Sequence, residues 1–154
     1  MTSMLNRTII LLIVVCAGAA AQEDAGFIYV APGHAPGGAT IQGGAGGELV
    51  WRFFGFGGDI GYLAPQQSFS SGLGVLSLDP AIHFARHSDS AIDPYFLGGY
   101  TLMFRNGVRS GGNYGMGINW WFKRDFGLKV EMRDQVVPST HFWGVRFGLD
   151  FHFD

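Results

Sequence analysis

Apolar residues recur at every second position along most of the chain beyond residue 22. The pattern is clearest from His141 to Asp154, which reads His-Phe-Trp-Gly-Val-Arg-Phe-Gly-Leu-Asp-Phe-His-Phe-Asp. Trp143, Val145, Phe147, Leu149, Phe151 and Phe153 share one face of an extended strand. Gly144, Arg146, Gly148, Asp150, His152 and Asp154 share the other. Successive side chains of a strand point to opposite sides, so a period of two is a strand signature. Such a strand fits a soluble sandwich with its apolar face inward. It also fits a membrane barrel with the apolar face outward to lipid and the polar face lining the lumen.

The same alternation recurs upstream. Gly26–Ala31 predicts a first strand, and the cluster Pro32 to Gly38 a turn. A second strand over Ala39–Trp51 sets Ile41, Ala45, Leu49 and Trp51 against Gln42 and Glu48, and Arg52-Phe53 make a tight connection. Phe54, Phe56, Ile60, Tyr62 and Ala64 then oppose Gly55, Gly57, Asp59 and Gly61, before a polar loop from Pro65 to Ser71. Leu76, Leu78, Ile82 and Phe84 oppose Ser77, Asp79 and His83. Pro80 lies inside this fourth strand and predicts a bulge, because proline donates nothing to a ladder. After a polar turn from Arg86 to Asp93, Phe96, Tyr100, Leu102 and Phe104 oppose Thr101 and Arg105. Asn106-Gly107 and Gly111-Gly112 mark the next turn. Tyr114, Met116, Ile118, Trp120 and Phe122 oppose Asn113, Gly115, Gly117, Asn119 and Lys123, and Arg124-Asp125 turn the chain. Phe126, Leu128, Val130 and Met132 oppose Lys129, Glu131 and Arg133, and Gln135 to Thr140 lead into the last strand.

This pattern predicts an all-β fold of about eight strands, the smallest count of closed outer-membrane barrels, in which each strand needs only about 9–11 residues to cross. The faces opposite the apolar ones decide its direction. They carry Glu48, Asp59, Asp79, His83, Arg105, Lys123, Lys129, Glu131, Arg133, Arg146 and Asp150, with both signs nearly balanced. An eight-stranded interior is only just wide enough for side chains, too narrow for all the large aromatic residues of the other faces. Glycines on the charged faces leave room for long ionic side chains, which in an apolar surround must pair and hydrogen-bond. The prediction is an eight-stranded antiparallel up-and-down transmembrane β-barrel with a polar, plugged lumen. Its ion-pair network is expected from Glu48, Asp59, Arg105, Lys129, Glu131, Arg133, Arg146 and Asp150. Its lipid-facing aromatics are expected to be Trp51, Tyr62, Trp120, Trp143, Phe147, Phe151 and Phe153, with Tyr114 joining the interfacial girdles.

Composition agrees with this reading. Charged residues make up 14% of the 154, well below the roughly 25% of soluble domains, while aromatics reach 15% and glycines number 25. The formal charge of −2 leaves no basic footprint for nucleic acid. Met1–Ala21 has the form of a signal peptide: Arg7, an apolar run from Ile9 to Val15, and Ala19-Ala20-Ala21 as the cleavage site. Residues 22–154 are then the barrel domain. Cys16, the lone cysteine, falls in the leader, so the mature chain is expected to lack disulfides. A secreted N-terminus and an even strand number predict both ends in the periplasm. The turns near Arg52, His87 and Arg124 then lie on that side, and the loops near Gly37, Ser68, Gly107 and Pro138 on the outside.

Several stretches resemble the small bacterial outer-membrane β-barrel proteins, similar to the transmembrane domain of the OmpA/OmpX type. They are Gly57-Gly58-Asp59-Ile60-Gly61-Tyr62, Asp93-Pro94-Tyr95-Phe96-Leu97-Gly98-Gly99-Tyr100, Gly115-Met116-Gly117-Ile118-Asn119-Trp120-Trp121-Phe122, Leu128-Lys129-Val130-Glu131-Met132-Arg133 and the aromatic last strand. The resemblance covers nearly all of the mature chain. It implies residence in the outer membrane among its lipids and lipopolysaccharide, insertion by the barrel-assembly machinery, and a monomer. The family usually ends on an aromatic residue, whereas here Asp154 follows Phe153.

Few residues suggest chemistry. His87 with Ser88 or Ser90 loosely resembles the His/Ser arrangement of outer-membrane lipid A deacylases, but a serine nucleophile needs a base in reach and a third group to orient it. His141, His152 and Asp150 are too widely spaced along one strand for a metal site. No catalytic residue, cofactor or metal is expected. The alternatives carried forward are a lipid-modifying enzyme using His87 with Ser88 or Ser90, and a soluble lipocalin-like carrier.

Overall fold

The structure is a computed structural model that describes residues 23–85 and 90–153. The expected leader, His87, Ser88, Asp154 and the side chain of Phe153 lie outside the described residues.

Eight strands form a closed barrel in which each pairs with its sequence neighbours and β1 closes on β8. They are β1 (Glu23–Ala35), β2 (Gly38–Trp51), β3 (Phe54–Pro65), β4 (Leu73–His83), β5 (Ile92–Phe104), β6 (Val108–Lys123), β7 (Phe126–Val137) and β8 (Thr140–Phe153). All eight pairings are antiparallel. Closure leaves no open edge along the wall, the condition for a sheet to cross a bilayer. Even β4, the shortest strand at 11 residues, is long enough to span. The start of β1 and the end of β8 lie at one mouth, since Asp24 pairs with Phe153. The turns after β2, β4 and β6 share this terminal mouth, and the others form the distal mouth.

Several expected boundaries shift. β1 runs through Pro32 to Ala35, so the first turn is Pro36-Gly37 alone. β6 begins at Val108, which places Gly111-Gly112 within the strand and leaves Asn106-Gly107 as the turn, with Gly107 at φ 139°. β7 continues to Val137, where Ser139 at φ 62° turns the chain into β8. The bulge expected at Pro80 is absent. The β3–β4 register runs unbroken past it, with Pro80 opposite Phe56, and the β4–β5 register is the same on both sides of it. Proline's missing donor is met by a gap in the β4–β5 ladder rather than an inserted residue. The register shift falls between Trp121 and Lys123, beside the β6–β7 turn.

Side chains sort by parity as in a membrane barrel. Phe56 is 52% exposed, Ile60 59%, Trp120 52% and Phe147 50%, while Asp59, Glu131 and Arg146 are each 3% or less. The apolar exterior is continuous around the wall and far exceeds the few hundred Å² of apolar patch that a soluble monomer tolerates. Lipid is the surround that satisfies it, which excludes a soluble lipocalin-like carrier. The large aromatics are mostly outside, as expected, and the interior holds four rings that the sequence had not assigned to it. Phe27, Tyr29, Tyr95 and Trp121 are all 8% exposed or less.

Candidate functional site

The lumen between the two mouths is filled by an interlocked ionic cluster. At its centre Asp59 of β3 accepts from Arg133 Nη1 at 3.1 Å, from Arg146 Nη1 at 3.0 Å and from the Tyr29 hydroxyl at 2.8 Å. Arg133 reaches from β7 to Asp79 of β4 at 2.6 Å, and its Nε donates to Glu131 at 2.7 Å. Arg146 Nη1 lies 3.6 Å from Glu131, and its guanidinium stacks 4.2 Å above the Tyr29 ring. The Tyr95 hydroxyl donates to Glu131 at 2.7 Å. Asn113 donates to Asp79 and to the Thr101 hydroxyl, both at 2.7 Å.

A second group fills the lumen nearer the terminal mouth. The His83 ring bridges Asp93 (Nδ1, 2.6 Å) and Glu48 (Nε2, 3.0 Å). The ring thereby ties β4 to β2 and to β5. Lys129 Nζ stands 3.9 Å from both Glu48 and Asp150, over the rings of Phe27 (4.7 Å) and Tyr95 (4.9 Å). Buried charges need this density of partners, because each left unpaired costs several kcal/mol. The lumen glycines open the space. A Cβ at Gly55 would meet Glu48 at 2.5 Å and His83 Nε2 at 2.7 Å, and one at Gly61 would meet the Tyr29 hydroxyl at 2.7 Å.

Glu48, Asp59, Lys129, Glu131, Arg133, Arg146 and Asp150 therefore all lie in the lumen. Arg105 does not join them. It is exposed at the distal mouth and donates to the backbone carbonyls of Ser71 (2.6 Å) and Ser70 (3.1 Å). Its parity is right, but it sits past the end of β5, above the ionic cluster. Lys123 is likewise exposed at the terminal mouth, beyond the register shift.

Trp51, Tyr62, Trp120, Trp143 and Phe147 are exposed on the outer wall, and Phe151 is half-buried there. Tyr114 is also outside, where its hydroxyl and His141 both bond Asp134. His141 and His152 stand at opposite ends of β8, and no metal-binding group occurs among the described residues. Ser90 bonds the backbone of Ile92 in both directions, at 2.9 and 3.2 Å, a local turn contact.

Sequence reasoning missed Tyr29, Asp93, Tyr95, Asn113 and Gln42, whose Nε2 donates to the Tyr29 hydroxyl at 2.8 Å, as members of the network. Asp93 and Tyr95 share parity with Thr101 and could have been found by extending β5 backwards. Tyr29 gave no such signal, because β1 is apolar on both faces from Phe27 to Ala31.

The closed eight-stranded wall, apolar outside and ionic within, has the fold of a small transmembrane β-barrel. Solved structures of that type share the fold. The N-terminal β-barrel domain of Pseudomonas aeruginosa OprF aligns with a TM-score of 0.64 at 15% identity, over 86% of this chain and 99% of that one. Neisserial surface protein A aligns with a TM-score of 0.66 at 12% identity, over 85% and 96%. Ail of Yersinia pestis, solved with the heparin analogue sucrose octasulfate, aligns with a TM-score of 0.58 at 10% identity, over 85% and 98%. No protein-family model matches the chain, and no curated protein matches it either.

Proposed function

We propose that the protein is a resident of the bacterial outer membrane, with a structural or interaction role, no catalysis and a lumen closed to ions. One observation carries this reading. Arg133 and Arg146, from neighbouring strands, span the lumen to the same Asp59 carboxylate, with Arg133 also holding Asp79 on the next strand. This crossbar joins β3, β4, β7 and β8 through charge-assisted bonds, the strongest class of protein hydrogen bond. An open channel would instead hydrate these groups along its walls. The even strand number, together with the expected leader, supports an orientation with both barrel ends in the periplasm and the distal mouth outside. Outer-membrane lipid and lipopolysaccharide surround the wall, the barrel-assembly machinery inserts it, and the barrel is monomeric.

Planar-bilayer recording tests the plug. The native barrel is expected to pass no steady current, and the Arg133→Ser/Arg146→Ser/Asp59→Ser variant to open a path. Steady current through the native protein would refute the closed lumen. The enzymatic alternative rests on His87 with Ser88 or Ser90. A lipid A acylation profile unchanged between native protein and His87→Ala supports the non-catalytic reading, and loss of a deacylated product in the variant would reverse it.

A further inference from the structure

The lumen changes character towards the distal mouth. Above the ionic cluster, beside inward Thr40 and Gln135, Leu63, Val75, Met103 and Val137 form a buried apolar group, each 5% exposed or less, with Leu73 and Phe142 packed against them. Leu73, Met103, Val137 and Phe142 of this group form the apolar floor of a cavity of about 400 Å³. That is the size range of small-ligand sites, roughly 300–1,000 Å³. Its wall brings in Phe104 and Val108, and its charged lining residues are Arg105 and Arg109. Among the described residues no carboxylate lines it. The ionic cluster below is an acid-rich network already committed to its own partners, so the two regions are chemically separate.

From this we infer that the distal mouth is a binding site for a single-chain anionic amphiphile, a fatty-acid-class carboxylate, whose chain lies on the apolar floor and whose head meets Arg105 and Arg109. Three features of the site fit this ligand. Arg105 is anchored through two backbone carbonyls, Ser70 and Ser71, yet a guanidinium carries five N–H donors in a planar fork. Donors remain for a carboxylate, which matches that fork in bidentate geometry. The cavity accommodates one chain rather than the several of a whole lipid. Access from the side is also built in. Val108 to Gly111 of β6 extend beyond the first β6–β7 pair, Gly112 with Val136, so the wall is lower beside Arg109. The inference stands apart from the plug, because it uses no residue of the ionic cluster.

The test is equilibrium dialysis of labelled dodecanoate against the full barrel held in amphipol, with gel mobility with and without heating as the check on folding. The native protein is expected to take up dodecanoate saturably, one molecule per barrel. Arg105→Ala/Arg109→Ala should weaken uptake by about tenfold or more, the loss of a charge-assisted contact. Lys123→Ala, at the other mouth, should leave it unchanged. Lengthening the chain from octanoate should tighten binding by about fourfold per methylene until the cavity is filled. Dodecanol should compete at least about tenfold more weakly, because it cannot satisfy the guanidinium pair. Val137→Trp, which fills the floor, should abolish uptake in a barrel that still shows the folded gel mobility. Absence of saturable uptake, equal losses in Lys123→Ala and the arginine pair, or dodecanol competing as well as dodecanoate would each overturn the assignment.

Discussion

The lumen contains two regions that solve the same packing problem in opposite ways. Its centre is filled by ions, with Asp59 receiving Arg133, Arg146 and Tyr29 in one place. Its distal end is filled by Leu63, Val75, Met103 and Val137. The ionic centre sits furthest from water, where a soluble protein would put its grease. The reason lies outside the barrel. The wall already turns its apolar side to lipid at mid-membrane, so strand alternation delivers the polar side to the lumen. Paired charges there cross the axis and tie opposite strands together. At the mouth the side chains are nearer solvent, and apolar groups close the gap with no desolvation of charge.

The sharpest way to break this contrast is Asp59→Ala. It leaves two guanidiniums facing one another across the lumen, and removing one partner of a buried ion network costs about 3–5 kcal/mol. Urea titration of the barrel in bilayers should register that loss, while Asp59→Leu combined with Arg133→Met and Arg146→Met should recover most of it. A triple variant no more stable than Asp59→Ala would show that the charges act by something other than pairing.

Leu63→Ala at the mouth should cost less, about 2 kcal/mol, the low end for a buried leucine, because water can enter the space it leaves. An equal or larger loss than Asp59→Ala would remove the distinction between the regions. Tyr95→Phe deletes one hydrogen bond to Glu131, which keeps its Arg133 partner, and should cost about 1 kcal/mol by the same titration. Arg105→Ala comes last. Its bonds are exposed and go to backbone carbonyls, so less than about 1 kcal/mol is expected. Salt should leave the Asp59→Ala deficit nearly unchanged, because buried pairs are screened far less.

These two regions were not equally legible in the sequence. Period-two alternation located the eight strands and put Asp59, Lys129, Glu131, Arg133 and Arg146 on one side, since charges that alternate with apolar residues along a strand all point the same way. Parity failed where the chain leaves the sheet. Arg105 and Lys123 keep the right parity but stand past a strand end and a register shift, neither of which alternation reports. It also failed where both faces are apolar. In β1 nothing distinguishes inward Phe27 and Tyr29 from outward Ile28 and Val30, and the inward rings fit into the space left by Gly44 and Gly46 on β2 and Gly61 on β3. The apolar mouth was harder to read for a related reason. Leu63, Val75, Met103 and Val137 share inward parity with Asp59, Ser77, Thr101 and Arg133, but their neighbours in the chain are mostly apolar too, so no local contrast marks them.

The central claim is directional: odd positions of β8 from Trp143 to Leu149 meet lipid, and even positions meet the ionic lumen. With Cys16 the lone cysteine of the chain, single cysteines placed at each of residues 143–149 can be spin-labelled in the liposome-inserted barrel. Collisions with oxygen, which concentrates in the hydrocarbon, should then alternate along the strand, high at 143, 145, 147 and 149 and low at 144, 146 and 148. A flat profile, or one with its maxima at 144, 146 and 148, would contradict the account.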